Sequence, residues 1–305
     1  MKTILTTLFA TAIAAVATAQ RPDEALIRVK YNFSHMTDTN KRQNFFKETM
    51  MVTAGKNASV FSSYDNALYA EETKAALEQQ SREQVGVATP TFKMPPRKKA
   101  TSRAAVYYYA NEHKLFIQEQ LGAMYLVERD ADKIDWKITL ETQQIEGINC
   151  KKATAHYRGR NWIVWFSEDL PFATGPWILV GLPGLIIQAH DDRKEVIFEF
   201  AGLEKIENKQ KKSTKKIGEE HDMKGFLGSS ESLTKNLIEL PDKAIRATPE
   251  EIKKLREAMK KDPQGFIKTQ MAAMGFGGLT PISTGQRTTP PPAEIMNNPI
   301  DKSKP

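Results

Sequence analysis

Hydrophobic and polar residues alternate along much of this chain. Ile27, Val29, Tyr31 and Phe33 are separated by Arg28, Lys30 and Asn32, the period of two that marks a half-buried strand. Residues 46–53 and 58–63 predict two further strands joined by a turn at 54–57. The pattern changes over 66–83, which is rich in Ala, Glu, Gln and Lys and contains neither Gly nor Pro, so a helical insertion is expected. Residues 86–103 carry Pro90, Pro95, Pro96 and a basic run and read as a surface linker. Alternation then resumes. A hairpin is predicted from 106–109 and 114–119, followed by strands at 125–129 and 136–143. A second hairpin pairs 148–157 with 162–167 around Arg158-Gly159-Arg160-Asn161, and a third pairs 185–190 with 195–200 around 191–194. Many short strands with few helices predict a mainly β protein. The expected form is a curved antiparallel sheet, as a barrel, half-barrel or sandwich, with a helical insertion and a C-terminal helix.

The two ends of the chain differ from this middle. Thr248-Pro249-Glu250-Glu251 has a capping residue, a proline at the first helical position and a glutamate three after the cap. Ile252, Leu255, Ala258 and Met259 follow at helical spacing, and Pro263 limits that helix. Beyond residue 271 the chain is rich in Gly, Thr, Ser and Pro, including Pro290-Pro291-Pro292, and a disordered tail is expected. At the other end, Lys2, the uncharged stretch 4–16 and Ala17-Thr18-Ala19 form the three parts of a secretory signal, cut before Gln20. The expected divisions are a signal peptide over 1–19, a β-rich domain over 20–245, a helical segment over 246–270 and a tail over 271–305. No later run approaches the roughly 20 apolar residues of a membrane span, so the mature chain is expected to have no transmembrane segment and to be exported.

Composition narrows the chemistry. The chain has 305 residues and a formal charge of +7, from 44 Lys and Arg against 37 Asp and Glu. The positives gather at Arg97-Lys98-Lys99 with Arg103, and between Lys205 and Lys216. Neither cluster interleaves aromatic residues, so solvated loops are expected rather than a nucleic-acid surface. Cys150 is the one cysteine, which excludes an intramolecular disulfide and any multi-cysteine metal site. No cofactor is expected.

Candidate catalytic groups are sparse. His156, His190 and Asp191 would converge if adjacent hairpins packed side by side, and they define the alternative reading of an envelope hydrolase, possibly metal-assisted. There is no HxH, HExxH or GxSxG pattern. Cys150 and His156 lie six residues apart, about 20 Å along an extended strand, which is too far for proton transfer. Neither a catalytic nor a metal set is therefore expected. Trp136, Trp162, Trp165 and Trp177 all fall in the β core block, and Trp162 and Trp165 have opposite parity, so they face opposite sides of a sheet.

One segment carries a resemblance. Residues 181–186 read Gly-Leu-Pro-Gly-Leu-Ile, preceded by Trp-Phe-Ser-Glu-Asp-Leu-Pro at 165–171 and Gly-Pro-Trp at 175–177. With the stretches at 31–39, 55–65 and 150–160, these motifs resemble the GLPGLI family of exported proteins from Gram-negative bacteria, over most of the mature chain to about Glu204. The resemblance brings no established activity. It implies an envelope role, because members tend to be encoded beside outer-membrane receptors of the TonB-dependent type. Physically, the hexapeptide serves either as a buried turn between core strands or as the lip of an apolar pocket. In the second case Trp165, Trp177, Leu182, Pro183, Gly184 and His190 are the expected ligand-binding residues. The function expected is a non-enzymatic binding or accessory module in the periplasm or at the outer membrane, for an apolar small molecule or an outer-membrane receptor.

Overall fold

The computed structural model describes residues 20–86, 92–97, 99–206, 233, 236–273 and 297–303. The expected signal peptide, most of the second lysine cluster and most of the expected tail lie outside the described residues.

In chain order the strands are β1 (Asp23–Glu24), β2 (Ile27–His35), β3 (Phe46–Ala54) and β4 (Ala58–Ser63), followed by helix α1 (Tyr64–Glu83). Then come β5 (Ala105–Tyr109), β6 (Lys114–Leu121), β7 (Ala123–Asp130), β8 (Lys137–Ile145), β9 (Ile148–Tyr157) and β10 (Arg160–Ser167). β11 (Leu185–Asp191), β12 (Val196–Lys205), β13 (Leu237–Ile238) and β14 (Ile245–Arg246) complete the strands, and α2 (Pro249–Lys261) and α3 (Pro263–Ala273) the helices. Twelve strands form one sheet, in the order β14-β7-β6-β5-β4-β3-β2-β12-β11-β10-β9-β8. Every pairing in it is antiparallel except β14 on β7. β14 and β8 are its two edges. β1 and β13 make a separate two-stranded ladder.

The alternation in β2 decides which face is inside. Ile27, Val29, Tyr31, Phe33 and His35 are buried, and across the ladder they meet Ala54, Val52, Met50, Glu48 and Phe46 on β3. On the other side Phe33 and Tyr31 meet Phe198 and Phe200 of β12. The curve of the sheet brings Tyr108 and Leu115 into one apolar cluster with Trp162, Val164 and Cys150 from the opposite flank. Aromatic rings run through it: Phe33 stacks on Phe198 at 4.8 Å, and Trp162 lies 6.4 Å from Phe198 and 5.8 Å from Trp177. Such pairs contribute about 0.5–1.5 kcal/mol each beyond their buried area.

Two smaller clusters clamp the rest. Ala25 and Ile238 cover Val60, Tyr107, Phe116 and Leu126. Helix α2 presents Ile252, Leu255 and Met259 to Leu121, Ala123, Tyr125 and Val127, with Phe266 of α3 beside them. Its start is the expected capping box, with the Thr248 hydroxyl accepting from the Glu251 amide and the Glu251 carboxylate accepting from the Thr248 amide. Helix α1 begins two residues before the expected start at 66, and its cap is Ser63, whose hydroxyl accepts from the Asn66 amide at 2.9 Å. That hydroxyl also donates to the buried carboxylate of Glu48. The basic linker packs on α1. Arg97 lies over the Tyr69 ring at 4.1 Å and Lys99 pairs with Asp65 at 2.6 Å.

Two expectations need correction. The turn after β9 is Arg158-Gly159 alone, with φ of 52° and 71°, so Arg160 and Asn161 belong to the strand. A two-residue turn with both φ positive matches the twist of the flanking strands, which a four-residue loop here would waste. Within the stretch expected to be a disordered tail, residues 297–303 dock across the end of the sheet. Low apolar content argued against order there, but polar and charged contacts hold the segment.

Candidate functional site

The segment between β10 and β11 packs into the main apolar cluster. Residues 170–182 cross the concave face, and Ile178, Leu179, Val180 and Leu182 are buried in the main cluster. The segment is fastened at several points. Tyr31 Oη donates to Ile186 O at 2.6 Å, the hydroxyls of Ser59 and Thr174 share a hydrogen bond of 2.7 Å, and Trp136 Nε1 donates to Val180 O at 2.9 Å. Burial pushes the Tyr31 hydroxyl far above the ordinary phenol range. Gly184 lies so close to the Ser167 carbonyl that a Cβ there would come within 2.0 Å of the oxygen. Trp177 adopts a left-handed φ of 58°, a conformation that costs a bulky residue about 1–3 kcal/mol and persists because its surroundings fix it. Its ring lies 6.3 Å from Tyr157 and 5.8 Å from Trp162.

The six expected ligand-binding residues are therefore divided. Trp177 and Leu182 belong to the packed corner, Gly184 is buried beneath it, and Pro183 is exposed on its rim. Trp165 is half-buried between Lys152 and Gln188 on the neighbouring strands. His190 pairs across the ladder with Ile163 and Ile197, and its Nδ1 donates to Asp191 O at 2.8 Å. Trp165 and His190 share one face of the β10–β11 ladder. A hollow of about 300 Å³ opens elsewhere, between Lys41, Lys47, Lys99, Asp38 and Phe46.

The alternative catalytic set is divided by strand parity. His190 and Asp191 are consecutive, so their side chains leave opposite faces of β11. Asp191 is 1% exposed and pairs with Arg160, while its other oxygen accepts from the amides of Glu195 and Val196 at 2.7 and 3.1 Å. His156 lies on the exposed face, where Nδ1 donates to Asn161 Oδ1 at 2.8 Å. Cys150 is buried, and burial pushes its thiol up to about 11. Among the described residues no group of three or more His, Cys, Asp or Glu is placed to hold a metal ion.

Exposed large apolar side chains among the described residues include Val85, Phe92, Ile245 and, on the β8 edge, Ile138 and Leu140, of which Leu140 is the most exposed. The register of β8 against β9 jumps between Ile138 and Thr142, so residues 139–141 form an arch opposite Lys152. The arch is held by Thr139 Oγ1, which accepts from the Glu141 amide at 3.2 Å, and by Lys152 Nζ, which lies 2.9 Å from both Glu141 oxygens. At its apex Leu140 is fully exposed, and Ile138 beside it is about half exposed. Soluble proteins commonly protect edge strands with bulges and charges. Here the bulge projects a leucine outward. Sequence reasoning placed β8 correctly but gave no signal for the arch, because its two extra residues look like ordinary alternation until the partner register is known.

Among the described residues, no helix is long and apolar enough to cross a membrane, which says nothing of membrane-spanning strands. No family model matches the chain, and no curated protein matches it. Two solved structures described as "Structure of PNGF-II", in P21 and C2 space groups, are similar at 14% identity over 76% of this chain, with TM-scores of 0.47 and 0.46. The chain spans about a third of the length of those two proteins, 33% and 32%. A likeness at that level carries no functional argument.

Proposed function

We propose that this chain is an exported envelope protein of the GLPGLI type that acts as a non-enzymatic accessory module, engaging an outer-membrane partner protein through its β8 edge. The observation that carries the reading is the contrast between the concave interior and the edge. The 170–182 corner packs Ile178, Leu179, Val180 and Leu182 into the main core, whereas Leu140 is offered to solvent at the apex of its arch. Exposed leucines are common singly, but one on a bulge pinned by two side-chain contacts is preorganised for contact. A receptor of the TonB-dependent type is the partner class that the motifs at 165–186 suggest. An apolar small molecule as the ligand has less support, because the residues expected to line its pocket are spread over separate surfaces. Asp191 is buried in an ion pair with Arg160 on the face opposite to His156 and His190, which leaves the hydrolase reading without a supporting geometry.

Site-specific photo-crosslinking in the native cell tests this reading. A photoreactive residue at position 140 is expected to form an adduct with one discrete envelope protein, and a probe at the exposed face of α1, at Lys74, is expected to form none. Equal, diffuse labelling from both positions would contradict the assignment.

A further inference from the structure

Residues 297–303 run as a strap across the end of the sheet where β2, β10 and β11 finish or begin, and each residue of the strap meets a dedicated partner. Asn298 is 1% exposed and uses four polar groups. Its amide donates to Thr37 O at 3.1 Å and its Nδ2 donates to Met36 O at 2.6 Å. Its carbonyl accepts from His35 Nε2 at 2.7 Å and its Oδ1 accepts from Arg160 Nη2 at 2.9 Å. Pro299, which has no N–H to satisfy, gives its carbonyl to Arg160 Nη2 at 2.7 Å, and Ile300 gives its own to Arg160 Nε at 2.9 Å. The Ile300 side chain packs against the main core. Asp301 takes Arg158 at 3.3 Å, and Lys302 reaches Glu195 at 3.0 Å. The absence of a side chain at Gly159 admits the strap, since a Cβ there would come within 2.7 Å of Lys302 Cβ.

This arrangement differs from a tail resting on a surface. Arg160 and Glu195 are 1% and 2% exposed in their side chains. Buried charges of this kind are costly unless paired, and three of Arg160's five bonds are to the strap. Side-chain polarity, the imino nitrogen, apolar bulk, a negative and then a positive charge are each read at successive positions. The strap is joined to α3 only through the 23 residues between Ala273 and Asn297, so its docking is a binding event between a peptide and a site on the same chain. A segment of the same chain competes with a free peptide at an effective concentration of about the millimolar order.

We propose that the end of the sheet around Arg160 is a peptide-recognition site for sequences of the Asn-Pro-aliphatic-Asp-Lys kind, held in cis by residues 298–302 and open to exchange with the same motif on another polypeptide. The cis segment is then a built-in competitor, and an incoming peptide gains the site by displacing it.

The test uses the full chain carrying Ser303→Cys with a spin label. Ser303 is exposed, whereas Cys150 is buried with a raised thiol pKa and stays unlabelled. The label is expected to be immobilised at rest. A free decapeptide of residues 296–305 is expected to mobilise it, with half-displacement at about 1–10 mM. A scrambled decapeptide, and one with Asn298→Ala, are expected to leave it immobilised over the same range. Placing Ile300→Asp in the labelled chain is expected to lower the required peptide concentration by about tenfold or more, through loss of apolar burial. A label that is mobile before peptide is added overturns the proposal, as does one that stays fixed at tens of millimolar or one that the scrambled peptide releases equally well.

Discussion

Arg160 has five N–H donors, and all five are used: one on Ile300 O, two on Asp191 and Glu195, and two on Asn298 and Pro299. Truncating one partner of such a buried cluster leaves the carboxylates uncompensated. Arg160→Ala is therefore expected to cost about 3–5 kcal/mol, measured by chemical denaturation. Gly184 makes a different demand. Its would-be Cβ collides with backbone, which cannot rotate away as a side chain would. Gly184→Ala is expected to cost about 2–3 kcal/mol and to lower Tm by about 4–12 °C. His35 adds a pH dependence. Burial holds its imidazole below the ordinary value of 6.5, the Arg160 charge lowers it further, and the bond to Asn298 with the Asp191 and Glu195 carboxylates opposes them. The folded state thus prefers neutral His35, while the unfolded chain takes up a proton near pH 6.5. The stability it contributes is complete above that pH and is lost as the pH falls below it. Denaturation at pH 7.5 and pH 5.5 should show the loss, and His35→Gln, which keeps a donor for the Asn298 carbonyl, should reduce the difference. Residue-level reading of the sequence reached part of this. Parity alone separates His190 from Asp191. The burial of Arg160 was hidden because the Arg158-Gly159-Arg160-Asn161 run reads as a turn, and only the two-residue form of that turn puts Arg160 inside.

The elements were largely legible because their signals are local. β4 and β9 lie where alternation predicts them, and the capping box of α2 is written in four consecutive residues. The two-residue strands β1, β13 and β14 were not legible, since a pair of residues has no period. The cap of α2 gives a test at this scale. Thr248→Ala is expected to destabilise the helix by about 1 kcal/mol. Because α2 holds to β6 and β7 through a small cluster around Ile252, hydrogen exchange should quicken in α2 while the β2–β3 amides keep their protection. The arch of β8 gives another. Leu140 makes no packing contact to lose, so Leu140→Asp is expected to leave stability within about 0.5 kcal/mol of the parent and to abolish the partner adduct formed by a photoreactive residue placed at half-exposed Ile138 beside it.

At the scale of the whole molecule, the curved antiparallel sheet follows from the hairpins, but what fills it does not. Gly-Pro corners shape sheets and line pockets with the same residues, and the sequence offered both uses for 175–186. The decision came from distant groups, Tyr31, Ser59 and Trp136, which tie the corner down. The strap was hidden for a related reason: Ile300 is one aliphatic residue in a polar stretch, and its worth depends on a site assembled from β2, β10 and β11. We propose that the interior is a packed core and that recognition takes place on the surface. Native mass spectrometry of the mature chain, gently purified from its own envelope fraction, tests it most directly. The expected species are the bare chain and the chain with a whole protein partner, the latter lost in Leu140→Asp. A stoichiometric small-molecule mass retained by the chain would contradict the claim.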